Sequence, residues 1–284
     1  MALLAGSRLA DHTLQLTAGS DKLLADIFPA VSHIKRFNLK TELARKLLVA
    51  ADSHLGAITV PYALAIHEDF VTTILAWIKS VGVSLDTRRK PIKAWNMHEI
   101  FYRSIGLPEP TSALELFHLL RRTRNAQIHA GSKVETDLQE YVDNMTTAGK
   151  SVWKRISGRE PEDMISNGRI TYTTGEIFAS FAVTKRLGRE INYALQKAPI
   201  GSREWAQVIV RDFAAGADKT RNSDPWMRAL WGFSRMYYTP LSIPREDLED
   251  AAISEGLWTR GKGVVPERSK NRRRNKGSKY IKET

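Results

Sequence analysis

The chain has 284 residues, no cysteine, and 43 Lys and Arg against 31 Asp and Glu, for a formal net charge of +12. Without cysteine it has no disulfide, thiol nucleophile, thiolate–zinc site or iron–sulfur cluster. With 42% hydrophobic and 26% charged residues, it has the composition of a globular protein, not a disordered or collagenous one.

Charge comes too early in the first sixteen residues for a secretory apolar core. The longest uncharged apolar stretch, residues 57–66, is too short for a membrane span and contains Pro61. The expectation is a cytoplasmic protein with no membrane partner.

Residues 1–37 read as an N-terminal extension. Residues 39–58 follow Asn38 with Leu43, Leu47, Leu48, Ala51 and Leu55 at helical spacing. Pro61 then fits the first turn of a second helix ending at Gly82. Residues 84–93 read as a loop, and a short helix over 95–105 stops at Gly106. Ser112 and Glu115 have capping-box spacing and open a helix that runs to Ala130 and stops at Gly131. A further amphipathic segment covers 135–156, with Gly149 as a weak point. Together residues 38–158 predict one helical bundle.

Residues 159–168 are polar and contain Pro161, so the domain boundary is expected there. Four more helices follow, over 174–197, 202–217, 225–238 and 245–258. Trp205, Trp226, Trp231 and Trp258 supply core material to this second domain, residues 169–258. Residues 259–284 read as a flexible tail, in which ten basic residues oppose only Glu267 and Glu283, a net +8. The predicted class is all-α: a bundle, a second helical segment and a basic tail.

The helix over 111–130 breaks its own pattern. At about 100° per residue from Ala113, an apolar arc holds Leu116, Phe117, Leu120 and Ile128, with Arg124 near its middle at about 20°. A guanidinium cannot shed its charge on burial, so it needs an anion, a carbonyl or a wet interface. Arg122, Asn125, His118 and His129 fall on the neighbouring polar face. Asn125 and His129, four residues apart, are adjacent on the helix surface.

The segment LELFHLLRRTRNAQIHAG, with Arg124-Asn125 and His129 at its end, resembles the motif-bearing helix of the HEPN superfamily. The resemblance extends loosely over residues 38–156 and stops short of the second half. It implies a metal-independent endoribonuclease that works as a homodimer, in a toxin or defence setting where an inhibitory protein partner is expected. Imidazoles change charge near neutral pH, so His129 suits general acid–base transfer at the RNA 2′-hydroxyl or the leaving 5′-oxygen. Arg124 would hold the phosphate with two directed donors, and Asn125 would orient the imidazole or donate to a phosphate oxygen. One histidine does not conveniently serve as acid and base in one step, which favours a second copy of the motif from a partner subunit. Arg122 and His118 are supporting residues. Glu68, at the edge of an apolar face formed by Leu64, Val71, Leu75 and Ile78, is placed to brace Arg124.

Two alternatives stand beside this reading. Arg124 could be a structural arginine paired with a core carboxylate. The chain could also be a non-catalytic nucleic-acid-binding protein whose tail, through Lys270, Arg272, Arg273, Arg274, Lys276 and Lys279, contacts phosphates. His67-Glu68 and His98-Glu99 resemble the start of a zinc helix but lack the second histidine four positions on, so neither metal nor cofactor is expected. Asp247, Glu249 and Asp250 fit a helix N-terminus. Arg260-Gly261-Lys262-Gly263 lacks the strand and helix of a phosphate loop.

Overall fold

The computed structural model describes residues 2–31, 33–129, 133–134 and 136–259. Among them are twelve α-helices: α1 Ala2–Gln15, α2 Leu24–Ile27, α3 Thr41–Val49, α4 Ala51–Ser80, α5 Met97–Ser104, α6 Thr111–His129, α7 Thr136–Asp143, α8 Thr147–Ser157, α9 Thr174–Lys197, α10 Ser202–Gly216, α11 Asp224–Tyr237 and α12 Arg245–Ser254. The only other regular elements described are three short 3₁₀ turns and a two-stranded hairpin, β1 Ile165–Ser166 with β2 Arg169–Ile170. The all-α expectation holds. The basic tail lies outside the described residues.

The chain divides into two bodies, residues 1–198 and 199–284, so the boundary expected at 159–168 is wrong. That segment looked like a linker because it is polar, yet its polar groups are spent inside the first body. Arg159 donates from Nε and Nη2 to the two carboxylate oxygens of Glu176, each at 2.8 Å, and also to the carbonyls of Thr171 and Asp163. Glu176 is wholly buried. It also closes a capping box with Thr173 at the start of α9. Gly175, one residue earlier, has no room for a Cβ, which would overlap the Ser157 carbonyl. Thus α9 is locked against the end of α8. The hairpin between them turns on Asn167 and Gly168, both at positive φ, the conformation a two-residue type I′ turn demands.

In the first body, α4 and α9 pack side by side and run in the same direction. Thr174 donates to Asp52 at 2.7 Å near their starts, and Phe70 lies beside Gly188 further along. Pro61 does not open a helix. It sits inside α4, where the missing backbone donor costs about 3 kcal/mol and burial of Val60, Ala63 and Leu64 on either side offsets it. The break falls instead at Ala50, between α3 and α4.

The segment expected as one helix over 135–156 is two, parted at Asn144–Thr146. Thr146 caps α8 by accepting from the Gly149 N–H at 2.9 Å. Glu115 spends both carboxylate oxygens on Thr146 and so does not close a capping box with Ser112. Within residues 1–37, expected as an N-terminal extension, α1 packs on α3 and α4, with Leu14 buried. Among the described residues no single helix is long and apolar enough to cross a membrane. α3 and α4 pass that test jointly, across a 41° bend.

The second body, described over 199–259, wraps α10, α11 and α12 around Ile209, Val210, Trp226, Leu230 and Leu248, with Trp231 and Trp258 packed against this core.

Candidate functional site

Helix α6 is central in the first body, touching α4, α7, α8, α9 and the hairpin. It is therefore buried well beyond one arc: Leu114 and Leu119 are buried, as are Ala113, Leu116, Phe117, Leu120, Thr123 and Ala126. Ile128, expected on the buried face, is 54% exposed.

Arg124 does find an anion within the chain. Its Nη2 lies 3.8 Å from Glu68 Oε2 on α4, and Nη1 donates to Asn125 Oδ1 at 3.3 Å. Both contacts are long for charge-assisted bonds. Arg124 Nε and Glu68 Oε1 are buried without a partner. The guanidinium is thus held in place with part of its donor capacity unspent. His129, the last residue of α6, is exposed.

The supporting residues occupy a different flank. Arg122 pairs with Asp137 of α7 and lies 4.6 Å above the Tyr141 ring. Tyr141 in turn donates to the Glu115 carbonyl at 2.8 Å. His118, read from its helical angle as a polar-face residue, is half-buried, with its ring 5.6 Å from Phe117. Burial above all, then the adjacent Arg121 and Arg122, pushes its imidazole down to about 4. Burial likewise lowers Arg121 from its usual value, with Arg122 adding to the effect.

Sequence reasoning missed one cluster. His67 of α4 and His98 of α5 are both buried, with their Nε2 atoms 2.9 Å apart and their rings stacked at 5.1 Å. One must donate and the other accept. Phe117 of α6 closes over both rings. Burial pushes His67 down to about 4, and burial, then the charges of His67 and His118, hold His98 well below the usual imidazole range. The available signal was His67 between Leu64 and Val71, three and four residues away on one face. Among the described residues no group of three or more His, Asp or Glu is placed to hold a metal ion.

The structure therefore brings Glu68, Arg124 and Asn125 together, leaves His129 exposed as the last residue of the same helix, and sets His118 and Arg122 apart as structural neighbours. The six tail cations lie outside the described residues. In comparisons with known proteins, no family model, curated protein or solved structure matches the chain.

Proposed function

We propose that this chain is a metal-independent endoribonuclease of HEPN type, acting on RNA as a homodimer. The observation that carries the reading is the Arg124 guanidinium, steadied by Glu68 and Asn125 through two long contacts and still 23% exposed, near the end of a helix whose last residue is an exposed histidine.

An arginine held this way can transfer its donors to a phosphodiester as charge develops on the phosphoryl oxygens. His129 is free to approach a 2′-hydroxyl or a leaving 5′-oxygen. A second His129 from a partner subunit would supply the opposite proton transfer. The toxin or defence setting, and an inhibitory partner, come from the resemblance of the α6 segment. A non-catalytic RNA-binding protein is the second reading, favoured by the net +8 carried on residues 259–284.

Incubation of full-length protein with structured RNA in EDTA separates the two. Cleavage that falls roughly 10²–10⁴-fold in His129→Ala, with the fold intact by circular dichroism, supports the enzyme. Arg124→Ala should fall as far, and Arg124→Lys should not restore it, because lysine lacks the planar fork. RNA binding without cleavage, or cleavage unchanged in both alanine variants, removes the catalytic assignment.

A further inference from the structure

A cleft of about 200 Å³ opens on the first body between the 107–110 link and the last two turns of α9, away from Arg124 in the sequence and in its lining. Its lining includes Tyr102 of α5, Pro108, Glu109, Glu190 and Tyr193, with Lys197 in the last turn of α9. Tyr102 is only 3% exposed, and its hydroxyl has no hydrogen-bond partner. A buried hydroxyl left unpaired costs about 1–3 kcal/mol, so its retention calls for a ligand or another reason.

Burial, then the charges of Glu190 and Glu109, push the Tyr102 phenol well above its usual range. The hydroxyl is therefore neutral, and both carboxylates line the same cleft. Burial, followed by the charge of Glu99, also raises the Glu109 carboxyl. Arg103, the nearby cation, is taken up by Glu99 and Asp86. Among the described residues Glu190 forms no ion pair. The lining thus carries two carboxylates against one ammonium, in a chain whose overall balance is strongly positive.

We propose that this cleft binds a small organic cation, an amine or guanidine, whose N–H groups donate to Glu109, Glu190 and the Tyr102 hydroxyl oxygen. The two carboxylates are acceptors and the neutral phenol can accept as well as donate, so a ligand rich in donors is complementary: an ammonium offers three and a guanidinium five. Tyr193, 61% exposed, adds an aromatic ring to the lining, and aromatic rings attract cations. The volume equals that of roughly seven waters at about 30 Å³ each, which suits a small ligand. The site stands independently of the ribonuclease reading.

The test is calorimetric titration of full-length protein with agmatine at fixed ionic strength, with butylurea as the neutral control. Saturable agmatine binding with none for butylurea is expected. Glu190→Gln should weaken it about tenfold or more, as expected for a hydrogen bond to a charged group. Tyr102→Phe should weaken binding while leaving the melting temperature unchanged or higher, because that hydroxyl has no partner to lose. A purely structural Tyr102 would not alter agmatine affinity. Equal binding of butylurea, wild-type affinity in Glu190→Gln, or no saturable heat up to about 10 mM would each overturn the proposal.

Discussion

Acidification should unfold the first body through three histidines before its carboxylates titrate. His67 and His118 are each pushed down to about 4, and His98 lies well below the usual range, all chiefly by burial. In the unfolded chain an imidazole titrates near 6.5. A depressed folded value means that the unfolded state binds more protons as pH falls, so the stabilising contribution is present above pH 6.5 and lost on the way down to pH 4. Between pH 7.5 and pH 5, proton linkage from 6.5 to about 4 removes about 2 kcal/mol for each of His67 and His118. Together they remove about 4 kcal/mol of a total that is typically about 5–15 kcal/mol, and His98 acts in the same direction.

The assay is amide hydrogen exchange at pH steps from 7.5 to 5, corrected for intrinsic exchange rates. The second body is an internal control, because all seven histidines lie at or before His129. Protection in α4, α5 and α6 should fall steeply, while that in α10 to α12 should not. Replacing both members of the stacked pair, His67→Leu with His98→Leu, removes two titrating groups without orphaning either. It should cut the pH dependence of the first body by at least about 2 kcal/mol over that range. First-body stability that is flat to within about 1 kcal/mol, or equally steep in the double variant, would refute the burial argument.

Arg159→Leu should destabilise the first body by about 3–5 kcal/mol, because Glu176 would be left as a wholly buried unpaired carboxylate; denaturant titration reads this directly, and a loss below about 1 kcal/mol would mean the pair is dispensable. Gly175→Ala should cost about 1–3 kcal/mol by forcing a methyl group into the Ser157 carbonyl, measurable as a lowered midpoint. Replacing Lys270, Arg272, Arg273, Arg274, Lys276 and Lys279 by Gln should weaken RNA binding and flatten its salt dependence by up to roughly 4 in log–log slope, at about 0.7 per contact. An unchanged slope in fluorescence anisotropy would show that the tail makes no phosphate contacts.

How much of this was legible in the sequence follows from the range of each interaction. The helices and their approximate spans came through because apolar spacing is local. The domain boundary did not, since Arg159 and Glu176 each look like surface charges until they are seen to satisfy one another. Pro61 was read by its intrinsic preference, which tertiary burial of α4 overrides. The hairpin carried a local signal, Asn167-Gly168, but two-residue strands show too little alternation to announce themselves. At the site, Arg124 was visible as a cation on an apolar arc, and Glu68 as a carboxylate on an apolar edge. The histidine pair was not, because it joins two helices across 31 positions. His118 was misplaced because a helical wheel assumes one buried face, whereas α6 is covered from several sides.

That Arg124 has a carboxylate within the chain changes what assembly must explain. Its place on the apolar arc is accounted for by Glu68, so it no longer calls for a second subunit. The case for a homodimer now rests on the last turn of α6, where Ile128 is 54% exposed beside exposed His129. A symmetric interface would bury the same Ile128 twice and bring two copies of His129 near one axis. Full-length protein should therefore sediment as a dimer at micromolar concentration. Ile128→Asp should shift it to monomer and abolish cleavage, whereas Glu68→Gln should reduce cleavage and leave the dimer intact. A monomeric wild type that still cleaves RNA would require both proton transfers to come from one chain, and the paired-motif mechanism would fall.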